Sequence, residues 1–131
     1  MSQRSVVRRF QDERTRVTFF LPLNNADEER AIQAIVEYLH QQRKSRVPVT
    51  GFTYSQIPLA VFFGEWWNDD LNIVEREPVV LFVVDYPVPL RDRRLNQTIR
   101  RLHQAIKKRY EDYCRPQQEI WITAQQILRY A

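Results

Sequence analysis

The order strand, helix, strand, strand, helix, strand predicts an α+β protein folded as a ferredoxin-like plait (β-α-β-β-α-β), a four-stranded antiparallel sheet with two helices on one face. Three observations carry this reading. The elements alternate as two βαβ units joined by a hairpin. The first and third strands, VTFFLPL and VVLFVVDY, are the most apolar and apolar on both sides, as strands buried on both faces must be. The proline-marked second strand belongs at an edge, where a missing N–H is tolerated.

Val17 to Leu23 is the first strand, β-branched and aromatic, and Pro22 ends it. Asn24 and Asn25 make the turn. Asn25 is a fitting N-cap with Glu28 three residues on, close to a capping box. A helix from Ala26 to Arg43 follows, with Ile32, Ile35, Val36 and Leu39 as its buried stripe and Asp27, Glu28 and Glu29 at its positive end. In the stretch 47–67, PLAVFFGEW is read as the edge strand and VTGFTYSQ as an irregular or bulged lead-in. Asn68, Asp69, Asp70 and Asn72 form a polar turn. VVLFVVDY after Pro78 is the central strand, closed by Pro87 and Pro89. A helix from Asp92 to Tyr113 is stopped by Pro116, EIWIT (119–123) is the last strand, and the tail AQQILRYA is left unassigned. Residues 1–16 read as a basic N-terminal arm and residues 17–131 as a single α+β domain.

A chain of 131 residues is one domain, and it buries roughly two-thirds of its unfolded surface. A single cysteine, Cys114, forbids an intrachain disulfide and, with no CxxC or Cys/His cluster nearby, points to a reducing compartment without a structural metal. The longest apolar run, Val79 to Val84, is far short of the ~20 residues that span a bilayer, and no signal-peptide core precedes it. The expectation is a soluble cytoplasmic protein that does not engage a membrane. Charge is segregated: residues 1–50 carry net +3, residues 51–90 net −5 and residues 91–131 net +6. Such asymmetry steers an acidic partner or a second copy of the chain.

The strongest functional signal is a stripe on the second helix. Arg93, Arg94, Arg100, Arg101, Lys107 and Lys108 come as pairs seven residues apart, so at about 100° per residue all six share one side. Leu95, Ile99, Leu102, Ile106, Tyr110 and Tyr113 take the opposite side. No acid lies between Arg93 and Tyr110, so the stripe repels itself unless a partner neutralises it. It offers phosphates or an acidic protein a surface. No aromatic residue interleaves it, so nucleic acid is expected to bind by backbone charge without base stacking.

The other constellations are weaker. Trp66 and Trp67 alternate on a strand, one toward the core and one toward the surface, and the bland reading packs both. With Asn68, Asp85 and Tyr86 they form a candidate pocket or rim, in which Asp85 would be the base of a small enzyme; more often such an Asp caps a turn. Asp69 and Asp70 lack the further ligands of a calcium loop, His40 and His103 read as boundary residues, and no metal, cofactor or catalytic set is assigned. The helices leave one apolar sheet face open, and a second copy in a two-fold homodimer is its expected cover, with the arm and tail as rivals. The sequence thus reads as a non-enzymatic binding or assembly module that contacts an acidic partner through a basic helix face. A sequence-independent nucleic-acid binder and a small enzyme are the alternatives.

Overall fold

Thr15, Val17, Phe19 and Leu21 recur at every second position of DERTRVTFFLP, and that period builds β1 (Asp12–Pro22) with these four side chains buried. The computed structural model describes residues 12–55, 62–117 and 119–130. After β1 come α1 (Ala26–Gln41), a 3-10 turn (Gln42–Lys44), β2 (Gly51–Tyr54), β3 (Phe62–Asn68), β4 (Ile73–Tyr86), α2 (Arg93–Tyr113) and β5 (Ile122–Arg129).

The sheet is antiparallel and runs β2-β4-β1-β5, with β3 added to β4. This is the strand order of the ferredoxin-like plait, α+β, with both central strands those expected. It holds five strands among the described residues, where four are expected, because the stretch 51–68 supplies two. Gly51–Tyr54, expected as an irregular lead-in, is a regular strand that pairs with Phe82–Asp85. Phe62–Asn68 pairs instead with Ile73–Val79, the first half of β4. The expected strand residues 58–61 lie outside the described residues. Val79 pairs with Phe62 on one side and with Pro22 on the other, so β2 and β3 occupy successive lengths of the same edge of β4.

Pro78 does not begin the central strand; β4 already runs from Ile73. A proline loses only its donor, and the Pro78 carbonyl still accepts from the Leu23 N–H at 2.9 Å. Asp12–Arg16 belongs to β1 rather than to the arm, whose residues 1–11 lie outside the described residues. The tail is β5, and only Ile122 and Thr123 of the expected last strand are in it. Helix α1 stops at Gln41 and the 3-10 turn takes up the next residues.

One face of the sheet carries the core. Val80, Phe82, Val84 and Tyr86 of β4 and Val17, Phe19 and Leu21 of β1 pack with Ile32, Ile35 and Leu39 of α1 and Leu95, Leu102, Ile106 and Tyr110 of α2. A row of paired side chains crosses the sheet: Tyr54 stacks on Phe82 at 5.3 Å, Phe82 on Phe19 at 5.1 Å, and Phe19 faces Ile122 of β5. Tyr113, expected on the buried stripe, is exposed, because the last core contact of α2 is one turn earlier at Tyr110.

The capping of α1 agrees with the expectation in its parts. Asn25 Oδ1 accepts from the Glu28 N–H at 2.9 Å, and the buried Glu28 carboxyl accepts from the Asn24 N–H at 2.7 Å. At the far end of α2, Tyr110 Oη donates to the Pro22 carbonyl at 2.7 Å and so ties α2 to the end of β1. Burial raises the Tyr110 hydroxyl pKa, so the group stays a donor.

Two expected outcomes test this core. Tyr110→Phe keeps the ring and removes the donor, and denaturant unfolding should show a loss of about 1–3 kcal/mol with an unchanged m-value. Phe82→Ala opens a cavity in the cross-sheet row and should cost about 3–5 kcal/mol; a loss below about 1 kcal/mol would show that the row does not hold the sheet.

Candidate functional site

The N-terminus of α2 is built by Asp92. Its carboxylate accepts from the Arg94 N–H at 2.9 Å and from the Arg94 guanidinium, Nη2 to Oδ2, at 2.8 Å. These bonds hold the Asp92 carboxyl at about 2, below its ordinary value of 3.8. At the other end Lys108 Nζ meets Asp112 at 2.8 Å. Five of the six stripe cations stand in two groups. Arg94 and Lys108 are exposed but engaged by acids flanking the stripe, whereas Arg93, Arg100 and Arg101 are exposed and make no ion pair among the described residues. Lys107 is half-buried. Arg109, just off the stripe, lies over the Tyr38 ring at 5.0 Å and links α2 to α1.

A groove of about 540 Å³ runs along this face between α2 and the segment that leads into β5. Its floor is Ile99, Ile120 and Ile122, and Arg100 and Lys107 of the stripe line its helix side. His103 stands between them and its Nε2 lies 2.8 Å from the Ile120 carbonyl; because a carbonyl only accepts, Nε2 carries the proton. That bond holds the segment against the helix. On the opposite side Trp121 is 76% exposed, and its Nε1–H donates to Glu119 at 3.0 Å. Trp121 thus stands beside the stripe from outside the helix, 21 residues beyond Arg100.

The candidate pocket residues are not brought together. Asp85 lies on the sheet face away from the helices, paired in register with Arg16, whose guanidinium grips both carboxylate oxygens at 2.9 and 3.0 Å. The next residue, Tyr86, points to the other face and is buried, where desolvation raises its pKa. Trp66 pairs with Glu75, ten residues from Asp85 along β4, which is about 33 Å of strand.

Trp66 and Trp67 are 43% and 54% exposed, so neither is core. The cause is the length of β4, whose first half projects past the helices and, up to Glu77, pairs only with β3 among the described residues. Phe62, Phe63, Leu71, Ile73 and Val74 are exposed on the same hairpin. The turn at its tip is as expected: Asn68 Oδ1 accepts from the Leu71 N–H at 3.1 Å, Asn68 Nδ2 donates to Glu75 at 2.9 Å, and Asn72 adopts a left-handed φ of 54°. Gly64 lies beneath the Trp66 ring, and a Cβ there would overlap it. On the sheet proper, the face away from the helices carries Phe20, half exposed and paired with Leu81, and Thr18 paired with Val83. The tail does not cover this face, because it is the edge strand β5.

No family model and no curated protein matches the chain. Among solved structures, a Bacillus cereus protein related to NIF3 superposes with a TM-score of 0.54 at 12% identity, over 90% of this chain and 26% of that one. This chain therefore spans about a quarter of that protein. The Bacillus subtilis GlnK–ATP complex gives 0.46 at 10% identity, covering 88% of this chain and 82% of that one. A phage SAM lyase with S-methyl-5′-thioadenosine gives 0.43 at 13% identity, covering 91% and 89%. At these identities the likeness concerns the fold alone. No helix among the described residues is long and apolar enough to cross a membrane.

The Asp92 cap has a pH signature. A depressed folded-state pKa means its stabilisation is present above the ordinary value and lost as pH falls through about 2. Asp92→Ala should therefore be less stable than wild type at neutral pH, and the deficit should shrink between pH ~4 and ~2 in circular-dichroism unfolding curves. A deficit independent of pH would contradict the Asp92–Arg94 pairing.

Proposed function

We propose that the protein is a non-enzymatic binding and assembly module, a cytoplasmic homodimer that presents the basic face of α2 to an acidic partner. The observation that carries this reading is the exposure of Arg93, Arg100 and Arg101 side by side with no acid to neutralise them among the described residues. Mixed signs normally relieve such repulsion, and here the ion-paired acids, Asp92 and Asp112, sit at the two ends of the stripe, while Glu119 across the groove accepts from Trp121. Nucleic acid, held through its phosphates, is the second occupant of the same face. The reading is preferred to a small enzyme because Asp85 is gripped by Arg16, Tyr86 is buried and the tryptophans stand far along the hairpin.

Self-association is supported by apolar surface. Phe20 and Leu81 are paired on the open sheet face, and the hairpin exposes both tryptophans and two phenylalanines. A second copy laid over these residues would bury them in a two-fold interface.

Replacing Arg100, Arg101, Lys107 and Lys108 together by Gln should preserve the fold and abolish most retention on heparin; equal retention of the two proteins would reduce the stripe to a solvated face. Light scattering at micromolar concentration should give a dimer, with about 1,000 Å² or more of total surface buried. Phe20→Ser with Trp66→Ser should shift it to monomer. A wild-type protein that is monomeric throughout would end the assembly part of the proposal.

A further inference from the structure

The geometry points to the groove between α2 and the segment Glu119–Ile122 as a binding site for single-stranded nucleic acid, with a base stacked on Trp121 and the phosphates on Arg100 and its stripe neighbours. This rests on the proposed polyanion-binding role of α2 and names the partner.

Five features favour a single strand. Trp121 is a large ring left 76% in water beside a cationic wall. Its Nε1–H donates to Glu119 at 3.0 Å, which engages the edge of the indole and leaves its face accessible. A flat, ordered aromatic next to positive charge is what successive bases and phosphates use in sequence-tolerant binding. The floor of Ile99, Ile120 and Ile122 gives the base an apolar bed. The site is also built in advance: His103 Nε2 donates to the Ile120 carbonyl, so the segment that carries Trp121 is already docked on α2 before any ligand arrives. Arg100 and Lys107 lie seven residues apart, about 10 Å along the helix, which spreads charge along a strand rather than at one point.

The same features disfavour the rival polyanions. A duplex keeps its bases inside its own stack, so it reaches the cations and leaves Trp121 unused. An acidic peptide satisfies the cations and presents no flat face to the indole. Glu119 lies on the Trp121 side of the groove and repels phosphate there, which orients the backbone toward α2 and the base toward the ring.

The test measures fluorescence anisotropy of a labelled oligo(dT), a duplex of equal length, and poly-glutamate as competitor, on the full chain at low salt. The wild type should bind oligo(dT) more tightly than the duplex. Trp121→Ala should weaken oligo(dT) roughly 5- to 100-fold and leave duplex binding and heparin retention unchanged, and Trp121→Phe should restore most of the loss. Because Trp121 is exposed, circular dichroism of both variants should match the wild type. If Trp121→Ala binds oligo(dT) like the wild type while the four-Gln variant does not, the stacking site is overturned and the polyanion face survives. If poly-glutamate binds and oligo(dT) does not, the partner is an acidic protein and the nucleic-acid assignment is overturned. If the four-Gln variant equals the wild type with every probe, the reading of α2 falls, and the groove with it.

Discussion

Phe82 lies on β4, between β2 and β1, on the buried face of the sheet. It stacks on Phe19 of β1 and on Tyr54 of β2, at 5.1 and 5.3 Å, and belongs to the core that α1 and α2 close from above. The stack fixes three strands side by side in one register, because a slip of one residue would turn each ring to the opposite face. Ile122 extends the row to β5. Helix α2 can lie across this platform only with Leu95, Leu102, Ile106 and Tyr110 downward, which sets Arg93, Arg100 and Arg101 outward. The position of the positive charge is therefore a consequence of how the core packs.

A second constraint is the mismatch between β4 and its cover. The strand is 14 residues long, and its core contacts with the helices come from Val80 onward. Up to Glu77 the strand has only β3 as a ladder partner among the described residues, so Ile73, Val74 and the apolar side chains of β3 face water, whereas Val79 is buried. The mismatch segregates charge and apolar surface by place. The covered half of the molecule carries the basic helix, and the projecting half carries acids and aromatic surface. Glu77, near Glu28 and Glu75 and partly desolvated where the hairpin leaves the sheet, has its pKa raised, although Asn24 donates to it at 3.2 Å.

How much of this the residues disclose depends on how strongly periodicity is coupled to burial. VVLFVVDY is apolar on both faces and could only be central, and the α2 stripe repeats cleanly every seven residues; both are legible. The start of β1 is harder, since Arg14 and Arg16 alternate with Thr15 and Val17 and look like an arm until Thr15 is seen to be buried, its hydroxyl donating to the Val88 carbonyl at 2.9 Å. Strand β5 is nearly illegible: its middle, Thr123 to Gln126, is without large apolar side chains and is held by its ladder to β1. Exposure of both tryptophans could not be read either, because alternation predicts opposite faces and says nothing of whether each face is covered. Trp121 joins the basic stripe only through the fold, by way of the His103–Ile120 bond.

The central claim is that the outward face of α2 holds a polyanion through its charges. The salt dependence of oligonucleotide affinity reads this directly, since each phosphate contact on a single strand releases counterions and contributes a log–log slope of about −0.7. With Arg93, Arg100 and Arg101 exposed together, the wild type should give a slope steeper than about −1.4, the equivalent of two phosphates. A flat salt dependence, or no measurable association at low salt, would contradict the account.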